Sequence, residues 1–364
     1  MTTPAPIDLV ALGDIHLGAG GPEAGRSERD RCLAAVLDEV ADRPGARLLL
    51  LGDVLDFLAA GAPEAEAVSA DPVADALATL DRIADRHEDT VGDLARLLAA
   101  GRRVDLVVGN HDVELSRPAV EAGLREVLAV RGAGSAAAAG GGLHIHRWIF
   151  HIPGVLYAEH GNQYHDINSF DTFLTPYDGE GRTAHPLVVR MATHASRHRR
   201  SERGRIATLA AVAGEAVGEA VGVADRGRRG RRAVYRREAL AGYAPAVGIS
   251  HTALVGIDRL AEVRLAPMAL RVARVALASL WRSRDAGRAA DGYLVRAAGA
   301  VHALLASRGE SVPCYLFGHT HAAAEVPLGP SESANPAGYL NAGGWIGRPA
   351  GGLHIVRVTR DGAG

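Results

Sequence analysis

The sequence predicts an α/β fold. Three short apolar runs, IDLVAL at 7–12, RLLLL at 47–51 and VDLVV at 104–108, each end directly in a glycine, Gly13, Gly52 and Gly109, as buried strands closed by turns do. Between them, in 29–41 and 74–100, apolar residues recur at helical spacing, including Leu77, Leu80 and Ile83, then Leu94, Leu97 and Leu98. The resulting β-α-β-α-β order belongs to a layered α/β domain.

The later elements follow in order. GAGSAAAAGGG, just after Gly132, is a low-complexity connection, and LHIHRWIFHI and GVLYAEH restore strand character up to His160. From Asp166 to Glu310 the pattern is helical, for example Leu260, Val263, Arg264, Met268, Arg271, Val275 and Leu280, so an all-helical insert is expected. Strands return at 314–317, 338–341 and 353–358. The expected division is therefore a core of residues 1–165 plus 311–364 and a helical cap of residues 166–310.

Composition narrows the function classes. With 364 residues, 48% of them hydrophobic, the chain can bury a substantial core. Two cysteines are too few for a disulfide framework, and the first residues lack a basic stretch followed by an apolar one, so a cytoplasmic location is expected. No run of 18 or more residues has the apolar character of a membrane span, so no transmembrane segment is expected. The net charge of −2 conceals an asymmetry, because residues 182–308 carry 23 Arg against 9 acids while the rest is acidic. All 40 basic residues are Arg, which reads as genomic base-composition bias. The absence of Lys also removes the phosphate-loop reading of GAGG at 18–21, which would need GK[ST].

The chemistry gathers at the strand ends. Gly13-Asp14-Ile15-His16, Gly52-Asp53-Val54-Leu55-Asp56, Gly109-Asn110-His111-Asp112, His160-Gly161-Asn162 and Gly318-His319-Thr320-His321 each follow an apolar run. Ligand sites of α/β sheets collect at the carboxyl ends of strands, so these distant residues are expected on one edge. Carboxylate, carboxamide and imidazole together suit Mn²⁺, Fe or Zn²⁺ better than Mg²⁺ or Ca²⁺. A lone Asp-x-His is ordinarily a polar turn; five such clusters in strand context point to a metal site.

In these motifs the sequence resembles the calcineurin-like metallophosphoesterase superfamily, whose pattern is D-x-H, G-D-x-x-D, G-N-H-D/E, a lone His and G-H-x-H. The resemblance spans roughly 7–165 and 311–358 and implies a four-layer α-β-β-α sandwich. It implies that Asp14, His16 and His321 hold one metal, that Asn110, His160 and His319 hold a second, and that Asp53 bridges them. Two divalent ions, first of all Mn²⁺, with Fe or Zn²⁺ as alternatives, are the expected cofactors. Asn110 and His111 would touch the substrate phosphate, and His111 would protonate the leaving oxygen with Asp112 orienting its imidazole. Asp112 as a helix N-cap is the competing reading. Asp56 is expected to support the ligands from behind or to fix a loop rather than bind metal. YLNAGGW, Tyr339 to Trp345, resembles the family's late N-x-G-S-W turn, with Gly344 in place of Ser.

The fifth ligand position is the least defined, because His144, His146, His151, His160 and His165 crowd one span. Alternation makes the first three one face of a strand. His160 follows an apolar strand and precedes Gly161, as the family's ligand does; His165 is the second choice for this position or, instead, the residue that reaches substrate.

The Arg-rich insert admits three readings: a solvated cap, a surface for anionic phosphates of the substrate, or a contact with an anionic membrane that would place the protein at the membrane periphery. Its position just before G-H-x-H also resembles the lid of the family's UDP-2,3-diacylglucosamine pyrophosphatases, from which the idea of a lid carries over and the substrate does not. The expected function is metal-dependent hydrolysis of a small or lipid-linked phosphomonoester, diester or pyrophosphate. The alternatives are a nuclease, which the basic insert would suit, and a non-catalytic scaffold, whose mark would be missing ligands.

Overall fold

The computed structural model describes residues 6–18, 28–60, 71–131, 142–165, 168–186, 189, 224–261, 292–329, 336–345 and 353–360. The connection after Gly132, the Arg run at 197–205 and the helical pattern at 263–280 lie outside them.

The fold is mixed α/β with several sheets. In chain order the first half runs β1 (Ile7–Leu12), β2 (Leu17–Gly18), α1 (Glu28–Asp42), β3 (Arg47–Leu51), β4 (Leu55–Asp56), α2 (Phe57–Ala60), α3 (Pro72–Arg86), α4 (Glu88–Ala99), β5 (Arg103–Val107) and α5 (Pro118–Arg131). Then come β6 (Leu143–His146), β7 (Ile149–Ile152), β8 (Leu156–Glu159), α6 (Ala224–Val234), α7 (Leu240–Val247), α8 (His251–Ala261), α9 (Gly292–Ala306), β9 (Cys314–Phe317), β10 (Ala323–Leu328), β11 (Ala337–Ala342) and β12 (Val356–Arg360). Local chemistry sets some boundaries directly: the Asp71 carboxylate accepts from Val73 N and Ala74 N, both at 3.0 Å, and Pro72 follows, a favourable helix start for α3.

One five-stranded sheet has the order β12-β1-β3-β5-β6, with β12 antiparallel at its edge. The other has the order β10-β11-β9-β8-β7, parallel through β11, β9 and β8. The alternating residues explain why the strands read as unbroken apolar runs. Leu9, Ala11, Leu49, Leu51 and Val107 join Phe150, Leu156, Ala158 and Leu316 in a cluster shared by both sheets. Val10, Leu12, Leu48, Leu50, Val104 and Leu106 belong instead to the cluster that holds Leu33, Leu37, Leu80, Ile83 and Leu98 of the helices. Both faces are buried, so no alternation with polar residues survives.

The described helices of 166–310 do not stand apart from the core. Leu240, Leu254, Ile257, Leu294, Val301 and Leu305 belong to the same cluster as Tyr157, Tyr315, Phe317 and Tyr339 of the second sheet. The polar side of this region is tied down as well: Asp258, 2% exposed, pairs with Arg236 at 2.9 Å and Arg232 at 3.3 Å. Those two arginines of the Arg-rich insert thus serve a buried carboxylate. Among the described residues no single helix is long and apolar enough to cross a membrane.

Candidate metal centre

Four loops that leave strands β1, β3, β5 and β9 converge with the end of β8. The first two run side by side, with Asp14 N donating to Gly52 O (3.0 Å), His16 N to Asp53 O (2.9 Å) and Leu17 N to Val54 O (2.8 Å). Gly318 N donates to His160 O at 3.0 Å, and Trp345 N, from the YLNAGGW turn, donates to Asp14 O at 2.9 Å. Asn341 of the same turn donates to Gly318 O and Thr320 Oγ1, both at 3.0 Å, and so holds the G-H-T-H loop.

The backbone of these loops is strained where the candidate ligands sit. Asp14, His16, Asp53, His319 and His321 have φ of 52°, 51°, 50°, 71° and 59°, and they are the non-glycine residues with positive φ among those described. Such conformations cost about 1–3 kcal/mol each and persist only where the surroundings impose them, typically at functional sites. Close approach adds a second demand: a Cβ at Gly109 would lie 2.2 Å from Asp53 Oδ1, and one at Gly318 would lie 2.7 Å from Asp14 Oδ2. Glycine at both positions lets the loops meet.

Three side-chain groups could hold a metal ion: Asp14 with His16 and His321, Asp53 with His160 and His319, and His16 with Asp53 and His111. Within each group the ligand atoms lie within 4.8 Å of one another. His321 Nε2 is 3.3 Å from Asp14 Oδ1 and 3.3 Å from His16 Nε2; His160 Nε2 is 3.2 Å from Asp53 Oδ2, and His16 Nε2 is 3.7 Å from the same oxygen. Asp53 therefore belongs to the second and third groups and approaches the first through His16. Asn110 is 3% exposed, and its Oδ1 is buried without a hydrogen-bond partner, an arrangement that a cation would relieve. The donors present fit a divalent metal.

Electrostatics accords with a crowded ionic site. Burial opposes charge on His160, but the Asp53 and Asp14 carboxylates outweigh it and push the imidazole up to about 10. Burial likewise opposes charge on Asp53, yet His160, His111 and His16 hold its carboxyl well below the usual range. A cation bound here would compete with the proton of His160.

His111 is placed beside this centre with its Nδ1 2.9 Å from Asp56 Oδ1, while Asp56 Oδ2 lies 3.2 Å from His16 Nδ1. The expectation that Asp112 orients His111 is corrected here. The Asp112 carboxylate is occupied by two backbone amides, Gly109 N at 2.6 Å and Val54 N at 2.8 Å, and so ties the β3 loop to the β5 loop. Nor does it cap the 3₁₀ turn Val113–Ser116 that follows, since its side chain makes no capping bond. Burial, with Asp53 nearby, pushes its carboxyl up to about 6.

The remaining histidines separate clearly. His146 pairs with Asp105 at 2.8 Å and His151 Nδ1 lies 3.2 Å from Val247 O, while His160 joins the centre. The His165 ring lies 5.4 Å from that of His319 and 5.4 Å from Tyr293, beside the centre but outside the three groups. His319 Nε2 is 3.1 Å from the carboxamide of Asn168. Asp56 closes the G-D-x-x-D motif, but the motif does not tell that it meets both His16 and His111, and the contact of Asn168 with His319 lies in no motif. A scan against protein-family models and a search of curated proteins each find no match to this chain.

Proposed function

We propose that this chain is a binuclear metallophosphoesterase of the calcineurin-like type, with the four-layer α-β-β-α sandwich of that superfamily, that hydrolyses a small or lipid-linked phosphate ester or pyrophosphate. The observation that carries this reading is that Asp53 belongs to one group with His160 and His319 and to another with His16 and His111, while His16 also groups with Asp14 and His321, so that residues from both ends of the chain meet around one carboxylate. Asp14, His16 and His321 would hold one ion, and His160, His319 and Asn110 the other, with Asp53 common to both; Mn²⁺ is the first candidate, with Fe or Zn²⁺ as alternatives.

Ions held by these residues would supply a hydroxide at neutral pH and neutralise charge on the phosphoryl oxygens. The side chains do the rest. His111, hydrogen-bonded through Nδ1 to Asp56, keeps Nε2 to hold a proton for the leaving oxygen. Burial opposes its protonation, but Asp56 and Asp53 outweigh it and raise the imidazole pKa. His165, beside His319, is positioned for the substrate side.

The test is hydrolysis of a chromogenic phosphodiester and its monoester by metal-stripped protein, with and without Mn²⁺, alongside His111→Ala. Turnover restored by Mn²⁺ and abolished in the variant is the expected result. Binding of Mn²⁺ with no turnover of either compound would favour a scaffold.

A further inference from the structure

The segment that leaves β8 toward the helical region returns to the candidate metal centre at Asn168. It folds on itself through side-chain amides: Asn162 Nδ2 donates to Asn168 O at 3.2 Å, Phe170 N donates to Gln163 Oε1 at 2.8 Å, and Gln163 Nε2 donates back to Phe170 O at 3.2 Å. Asn162 is 1% and Gln163 4% exposed, so these bonds are shielded from water and fix the turn. Asn168 N donates to His165 O at 3.3 Å. Within this frame Asn168 Nδ2 lies 3.1 Å from His319 Nε2.

We infer that Asn168 is the positioning residue that fixes the His319 imidazole as an Nδ1 ligand of the second ion. This rests on the proposed metal centre. An imidazole that ligates a cation is neutral, with a lone pair on one nitrogen and a hydrogen on the other. Since Nε2 faces the carboxamide, Nδ1 is the nitrogen left for the metal, and Nε2 carries the hydrogen. The acceptor for that hydrogen is Asn168 Oδ1, presented by a half-turn of the carboxamide, whose oxygen and nitrogen ends are interchangeable in shape. An outer partner of this kind sets ring orientation and ligand basicity, and its removal weakens metal affinity about 10–100-fold. The segment between β8 and the helices thereby contributes to the ligand field of the second ion.

The experiment is Co²⁺ and Zn²⁺ binding, by visible absorption and competition with a chromophoric chelator, to the full chain and to Asn168→Leu, Asn168→Ala and Asn168→Asp. The wild type is expected to bind two ions. The Leu and Ala variants should bind the first ion as the wild type does and the second about 10–100-fold more weakly. The Asp variant, which keeps an oxygen acceptor, should stay near wild type. Two unchanged binding steps in Leu and Ala overturn the inference and leave the metal centre standing, whereas a wild type that binds no ion overturns the metal centre itself. Ring ¹⁵N shifts of His319 in the Zn²⁺-loaded wild type give an answer that depends on no variant: Nδ1 metal-bound with Nε2 protonated is expected, and Nε2 metal-bound overturns it.

Discussion

The carboxylate of Asp56, 10% exposed, meets the imidazole of His111 with Oδ1 2.9 Å from Nδ1, and its second oxygen lies 3.2 Å from His16 Nδ1. One acid thus orients both a candidate ligand and the candidate proton donor. Asp56→Asn keeps the shape and removes the charge. It is expected to lower kcat and kcat/KM together, about 10–100-fold, with KM little changed, because the lost interaction acts mainly in the transition state. Steady-state kinetics on the chromogenic ester measures this, and a rise in KM alone would argue against the assignment.

Asp53 lies between two groups, so its loss should strike both. Asp53→Asn is expected to reduce bound Mn²⁺ from two ions per chain to at most one and to abolish turnover. His111→Ala should abolish turnover and leave both ions bound. Elemental analysis after gel filtration separates the two outcomes.

Asp112 illustrates a stability role in the middle of a catalytic-looking motif. It is fully buried, and Asp112→Ala would leave Gly109 N and Val54 N without their acceptor. Each buried orphan costs about 1–3 kcal/mol, so a drop of several kcal/mol in unfolding free energy is expected in a urea titration. A variant as stable as wild type but inactive would restore Asp112 to the chemistry.

A buried ionic cluster makes a pH prediction. Asp105 is fully buried and bonded to Arg47 (2.8 Å), Arg103 (2.8 Å) and His146 (2.8 Å). Burial opposes its ionisation, but these three partners prevail and hold the carboxyl well below the usual range. A depressed folded-state pKa stabilises at pH values above the unfolded value of about 4, and the contribution is lost as pH falls from there through the folded value. Asp105→Asn should therefore cost about 3 kcal/mol at pH 7, where it strands the charged partners, and progressively less below pH 4. Denaturation curves of both proteins at pH 7 and pH 3 measure the gap, which should narrow at the lower pH.

The sequence by itself determined most strands of the two large sheets and where the polar clusters fall on them. Residues 7–12, 47–51 and 314–317 are strands with the bounds their apolar runs indicate, and those at 104–108, 338–341 and 353–358 shift by one to three residues, whereas LHIHRWIFHI divides into β6 and β7 of different sheets and β2, β4 and β10 carry no apolar run that marks them. Period, turn glycines and strand-end placement are local properties, legible along one dimension, and they placed Asp14, His16, Asp53, His160, His319 and His321 together on one edge. Tertiary structure decided what each polar group touches. Asp56 and Asp112 both sit within reach of the Gly109 loop, and nothing in GDVLD or GNHD says which one faces His111. That choice follows from how the β3 and β5 loops cross, with Asp112 taken by two buried amides that nothing else satisfies. The helices within 166–310 likewise have an apolar stripe in sequence, but their place against Tyr157, Tyr315 and Phe317 depends on the second sheet, which forms only when β8 pairs with β9 across the whole insert. Long-range pairing of this kind is a matter of close packing among residues far apart in the chain, and that information exists only in three dimensions.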